Sequence, residues 1–146
     1  MAETYLITGV NRGIGLEMTR QALAQGHRVI AVCRHPDRAE ALQSLRAAHS
    51  DNCHIHAADV CDAQALAGIA TMIDTPLDVV VCNAGAMSAR GGIDDAGNTA
   101  EAVAPVLMTN MVGPFFTARA FLEPLTRGKN PRIAIISSFM GSQQHK

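Results

Sequence analysis

The chain has 146 residues, enough for one domain with a core of its own, and a net charge of -1 that gives no footing for nucleic acid or an anionic membrane. A hydrophobic content of 48% excludes a disordered chain, and no apolar run approaches the ~20 residues that span a bilayer. The opening "MAETYLITG" is too short and lacks the basic flank of a secretory leader, so it reads as the buried first strand of a cytoplasmic protein.

Short apolar runs alternate with amphipathic stretches, the rhythm of βαβ units around a parallel sheet. The first strand is expected from Thr4 to Thr8. A helix follows from about Gly13 to Gln25, with Ile14, Met18 and Ala22 as its apolar stripe and Gly26 as its left-handed terminator. The second strand is Arg28 to Val32. Pro36 fits the first turn of a second helix, in which Ala39, Leu42, Leu45 and Ala48 face the sheet. A third strand runs near His54 to Ala58, and Asp62 is placed to cap a helix that continues to about Met72.

"LDVVVCNAG" reads as a fourth strand buried on both faces. Gly91, Gly92 and the polar residues up to Asn98 form a loop. The apolar stretch from Thr99 to Thr126 is expected as a short helix followed by a longer one, with Pro105 and Pro114 breaking or kinking it. Gly128 and Pro131 close it, and "RIAIISS" is the fifth strand. The fold class that results is a doubly wound α/β sheet of five parallel strands in three α/β/α layers.

The four cysteines, Cys33, Cys53, Cys61 and Cys82, form no CxxC pair, and each lies in or beside a strand. They read as small buried hydrophobes and reduced thiols. His54 and His56 share one strand face, but no third ligand has suitable spacing, so no metal is expected.

The strongest functional signal is "TGVNRGIG", with Gly9, Gly13 and Gly15 between a strand and a helix. Glycines at such a turn let the backbone approach a pyrophosphate, and the helix N-terminus offers it unpaired N–H groups. This TGxxxGxG form resembles the short-chain dehydrogenase/reductase family. Asp59-Val60 resembles the family's adenine-contacting pair after the third strand. Asn83-Ala84-Gly85 resembles the NNAG turn, with Cys82 in place of its first Asn. Asn110 resembles the catalytic asparagine, and Ser138, with Ser137 before it and Gly141 after it, resembles the catalytic serine. "NRGIGLE" and "VIAVCRHP" are most similar to the carbonyl-reductase and C-factor-like branch.

The resemblance implies a Rossmann-type fold whose cofactor contacts are Gly9, Asn11, Arg12, Gly13, Ile14, Gly15, Arg34, Asp59, Val60, Asn83, Ala84 and Gly85. It further implies hydride transfer between a nicotinamide and a small carbonyl or alcohol substrate, and a homo-oligomer formed through the helix around residues 100–126. NAD enzymes place an acid at the end of the second strand to hold the ribose hydroxyls. Cys33 and Arg34 stand there instead, and Arg12 lies in the glycine turn. Two guanidinium groups suit a 2′-phosphate, which points to NADP, with NAD as the alternative if both arginines are merely solvated.

In this family a Tyr supplies the proton to the developing alkoxide, a Lys lowers its pKa, a Ser bonds the carbonyl oxygen and an Asn anchors a water of the relay. The Tyr-x-x-x-Lys pair is expected about a dozen residues past the serine. The 146 residues do not contain it: the sole tyrosine is Tyr5, and the lysines are Lys129 and Lys146. The expectation is therefore the N-terminal part of such a fold, inactive alone, with "IAII" on an exposed sheet edge and the chain prone to associate. A truncated enzyme, a frameshifted end and a natural short form all fit "GSQQHK". A non-catalytic NADP-binding module and a bare interaction fragment are the competing functions, and the substrate is not readable.

Overall fold

The computed structural model describes residues 1–88 and 94–138. Its strands are β1 (Thr4–Thr8), β2 (Arg28–Cys33), β3 (Cys53–Ala57), β4 (Val79–Cys82) and β5 (Arg132–Ile135). They form one sheet in the order β3-β2-β1-β4-β5, with all four pairings parallel. Gly91, Gly92, Gly141 and the closing "GSQQHK" lie outside the described residues.

Register divides the core into two layers. Leu6 pairs with Ile30 and Val80, and these three face one side of the sheet. Helix α3 (Ala63–Met72) covers that side with Leu66 and Ile69, and the helices after β4 add Phe121 and Leu125. Ile7 pairs with Ala31 and Val81, which face the other side. There α1 (Gly13–Ala24) contributes Ala22 and Leu23, and α2 (Glu40–Ala48) contributes Leu42. Both faces of the central strands are apolar because both are covered, as parallel sheets require.

The helix ends follow their local chemistry. Gly26, at φ 79°, ends α1; its N–H bonds Leu23 O and that of His27 bonds Ala22 O, the Schellman pattern. Asp62 caps α3 by accepting from Gln64 N and Ala65 N. Pro36 differs from expectation: it opens a separate 3-10 turn, Pro36–Arg38, because Ala39 at φ -101°, ψ 70° interrupts the helical path before α2 begins. Ala39 and Leu42 are buried as expected, whereas Ala48 at the end of α2 is exposed.

The stretch after Asn98 is not broken at either proline and is divided differently from the expected short and longer helix. Thr99 caps α4 (Ala100–Leu107), which contains Pro105, and a π-helical turn at Met108–Val112 leads into α5 (Gly113–Ala120). Pro114 sits in the first turn of α5, where its ring would crowd the Asn110 carbonyl of a regular helix; the wider π turn relieves this. The real interruption is at Phe121, after which α6 spans Leu122–Thr126. β5 lies at the sheet edge with all its residues exposed, including Ile133 and Ile135.

Phe121 is fully buried between the α3 and α6 side chains and the sheet. Phe121→Ala should lower unfolding free energy by about 3–5 kcal/mol, measured by urea denaturation.

Candidate functional site

Strand order reverses between β1 and β4, so the loops leaving their carboxyl ends diverge and open a crevice. A cleft of about 480 Å³ lies there. Its walls are Gly9, Asn11, Arg12, Gly13 and Ile14 after β1, Val32 to Arg34 at the end of β2, Ala58 to Val60 after β3, Asn83 to Ala86 after β4, and Thr109 from the π turn. Eleven of the expected cofactor residues are thereby brought together: Gly9, Asn11, Arg12, Gly13, Ile14, Arg34, Asp59, Val60, Asn83, Ala84 and Gly85.

Gly15 is buried behind the wall. A Cβ on Gly15 would overlap Asn83 Nδ2 and the Gly9 carbonyl, and one on Gly9 would lie 2.8 Å from Ala84 Cα. Gly9 also has φ 70°. The two glycines therefore let the turn after β1 lie directly on the turn after β4.

Hydrogen bonds fasten that contact. Thr8, 1% exposed, receives Asn83 N–H and Ala84 N–H on its hydroxyl oxygen at 3.1 Å each, and the hydroxyl donates to Val81 O at 3.4 Å. Asn83 Nδ2 in return donates to Thr8 O at 2.9 Å and Gly9 O at 3.2 Å.

The N-terminus of α1 is electrically unlike those of α3 and α4. Arg12 precedes it in extended conformation with no side-chain cap, and its first turn carries no acid. Asp62 and Thr99 cap the other two. The first N–H groups of α1 are thus left to whatever occupies the cleft that Gly13 and Ile14 line. Glu17, one turn further on, is held by Arg20 and Gln21, which lower its carboxyl to about 2. Ile14 is 63% exposed at the cleft rim, so it is not part of the buried stripe of α1, which is Gly15, Thr19, Ala22 and Leu23.

At the far wall Arg34 Nη1 stands 3.9 Å from Asp59 Oδ2, both side chains well exposed. Asp59 Oδ1 accepts from Cys61 N at 2.9 Å. Val60 is buried because α5 comes down on it: a Cβ on Gly113 would lie 2.8 Å from Val60 Cγ2. Burial raises the Cys33 thiol, so Cys33 is a neutral group at the end of β2. Cys82 faces α5, its thiol 3.9 Å from Pro114 O and pushed up to about 11 by burial.

The two expected catalytic residues are not in the cleft wall. Asn110, in the π turn, accepts from Ala86 N at 2.8 Å and donates to Ala86 O at 2.9 Å, so its amide holds the rim of the cleft. Ser138 is exposed beyond β5, two residues past the Ile136 N–H that bonds Cys82 O. Tyr5 lies at the other end of β1, its hydroxyl donating to Glu3 at 2.8 Å. Sequence reasoning did not assign Thr8, Val32, Ala58, Ala86 or Thr109 to the site, and it named Cys33 only as the residue standing where an NAD enzyme carries its acid. Thr8 opens the TGxxxGxG motif and Thr109 precedes Asn110, so both carried a positional signal.

Residues 3–146 match the family model described as short chain dehydrogenase. The chain belongs to the short-chain dehydrogenase family. It is 36% identical over 141 residues to the uncharacterized oxidoreductase YusZ of Bacillus subtilis, covering 93% of this chain and 49% of that one. It is 31% identical over 158 residues to the (+)-neomenthol dehydrogenase of Arabidopsis thaliana, covering 93% and 53%. The chain therefore spans about half the length of these curated relatives. The closed form of serine dehydrogenase complexed with NADP+ superposes with a TM-score of 0.81 at 30% identity, over 94% of this chain and 55% of that one. Among the described residues no helix is long and apolar enough to cross a membrane, and no group of three His, Cys, Asp or Glu is arranged to hold a metal.

Thr8→Val keeps the shape of the side chain and removes its hydroxyl, leaving two part-buried N–H groups without an acceptor. The variant should lose about 2–4 kcal/mol of stability by chemical denaturation.

Proposed function

We propose that the cleft binds NADP(H) and that the protein passes hydride between this dinucleotide and a small carbonyl or alcohol. The observation that carries this reading is the uncapped α1 N-terminus facing a cleft at the strand-order reversal, with Gly9 and Gly15 clearing room for the chain to turn there. The pyrophosphate would take the N–H groups after Arg12, and Asp59 and Val60 would flank the adenine. Asn11, Asn83, Ala84 and Gly85 would border the rest of the dinucleotide. The neutral Cys33 lacks the carboxylate that an NAD ribose would bond, and Arg12 and Arg34 supply positive charge for a 2′-phosphate. The NADP+ complex of the serine dehydrogenase relative supports the same cofactor. We read residues 1–146 as one dinucleotide-binding unit.

For the chemistry, Ser138 would hydrogen-bond the substrate oxygen. Asn110 would act from the rim, where its amide is engaged with Ala86. A second reading, an NADP-binding module without turnover, is favoured for these 146 residues by Tyr5. The only tyrosine is fixed to Glu3 away from the cleft and cannot be the proton donor there. NADPH should enhance in fluorescence on titration with the wild-type chain. Arg34→Ala should weaken NADPH binding about three- to tenfold while changing NADH little, and no carbonyl compound should be reduced by this chain alone. No NADPH binding by the wild type would sink both readings.

Leu107, Met111, Phe115 and Leu122 are 50%, 67%, 61% and 53% exposed along the α4–α6 run. We assign these residues to contact with a second copy of the chain, giving a homo-oligomer. The free thiols of all four cysteines suit a reducing, cytoplasmic setting. Phe115→Glu should shift the sedimentation profile toward monomer while leaving NADPH affinity unchanged.

A further inference from the structure

Arg34 and Asp59 meet because their strands end side by side. Arg34 follows β2, Asp59 lies just past β3, and the Ala58 N–H bonds Cys33 O at 3.1 Å, so the two side chains leave neighbouring backbone on the same wall. Asp59 is oriented within this arrangement. Its Oδ1 accepts from Cys61 N, and that bond leaves Oδ2 facing Arg34 Nη1 at 3.9 Å. Arg34 is 71% and Asp59 43% exposed, so water and ligand reach both.

Arg34 is one of two guanidinium groups in the cleft wall, and among the described residues it is the one with a carboxylate beside it. A phosphate seated on Arg34 would sit within a few ångströms of that carboxylate. The phosphate gains from the cation and is opposed by the anion, and both effects exceed those felt by an uncharged hydroxyl in the same place. The carboxylate therefore selects against the phosphorylated ligand, whereas whatever it does at the adenine is common to both forms.

We propose that Asp59 is a specificity-determining residue: by holding Arg34 as an ion pair, it competes with the 2′-phosphate of an adenosine nucleotide and restrains the preference of the cleft for the phosphorylated form. This rests on the reading of the cleft as the adenosine site. It makes Arg34 a shared residue, exchanged between an internal carboxylate and the ligand. It also predicts that the preference set by Arg34 and Arg12 is smaller than two unopposed arginines would give.

The test compares 2′,5′-ADP with 5′-AMP by calorimetric titration of the full chain, using wild type, Asp59→Asn, Arg34→Gln and the double variant. The amide introduced by Asp59→Asn retains an oxygen for the Cys61 N–H, and circular dichroism checks that each variant keeps its fold. Effects of Asp59 on the adenine are common to both nucleotides and cancel in their affinity ratio. In Asp59→Asn the ratio favouring 2′,5′-ADP should rise about three- to tenfold, more at low salt than at high salt. In the Arg34→Gln background the same change should leave a rise of less than half that size. A ratio that is unchanged or falls in Asp59→Asn overturns the proposal while leaving the adenosine site intact. An equal rise with and without Arg34 overturns the exchange, since Asp59 would then act on the phosphate alone. Failure of the wild type to bind either nucleotide overturns the adenosine site and the proposal with it. If Asp59→Asn does not fold, Asp59→Ser carries the same comparison.

Discussion

The cleft depends on one buried hydroxyl. Thr8 ends β1, and its oxygen receives the N–H groups of Asn83 and Ala84 as they leave β4. Asn83 returns the contact through its amide to Thr8 O and Gly9 O. Parallel strands bond only along their length, so nothing in the β1–β4 ladder itself holds the two departing loops together. These side-chain bonds extend the ladder past its end. Because the groups are largely removed from water, each lost partner would leave an unmet donor or acceptor rather than a solvated one.

That clasp explains why small residues surround it. Gly9 and Gly15 have no room for a Cβ because Asn83 and Ala84 occupy the space. The glycines thus serve the protein's own packing as much as any ligand. Their tightness has a second effect: it sets α1 with its first N–H groups toward the cleft and keeps side chains out of their way. The positive end of the helix is then available because the loop before it contains no capping side chain, only the extended Arg12. α3 and α4, with Asp62 and Thr99 at the same position, have spent those donors internally.

Much of this architecture was legible in the sequence, since apolar runs, cap residues and glycine spacing each carry local signals. β1 and the Asp62 cap follow directly from such patterns. The family resemblance placed Asn83 and Asp59 at strand ends, and strand ends are where a doubly wound sheet gathers its loops. The failures share a cause. Periodicity shows that Ile14 lies on an apolar face of α1, but not whether the neighbour of that face is core or cleft. Pro105 and Pro114 read as interruptions because proline forbids a regular bond, yet a π turn accommodates the second without ending the run. The burial of Val60 under Gly113 and the pairing of Asn110 with Ala86 depend on elements many residues apart, so no local pattern encodes them.

The two ends of β1 differ in kind, with an open cleft at one and a closed side-chain network at the other. At its carboxyl end the cleft is shaped mainly by main-chain features: an uncapped helix, two glycines and a turn fixed by Thr8. At its amino end Tyr5 meets Glu3 and His27, and Glu3 also takes Arg132 from β5. Burial raises the Tyr5 phenol and Glu3 raises it further; a phenol held protonated in this way is the opposite of one tuned down for acid catalysis near neutral pH. Tyr5 therefore differs from a proton donor in both place and electrostatics. With Glu3 and Arg132 it helps tie β1 to β5 across β4, and through the sheet it supports the strand that carries Thr8.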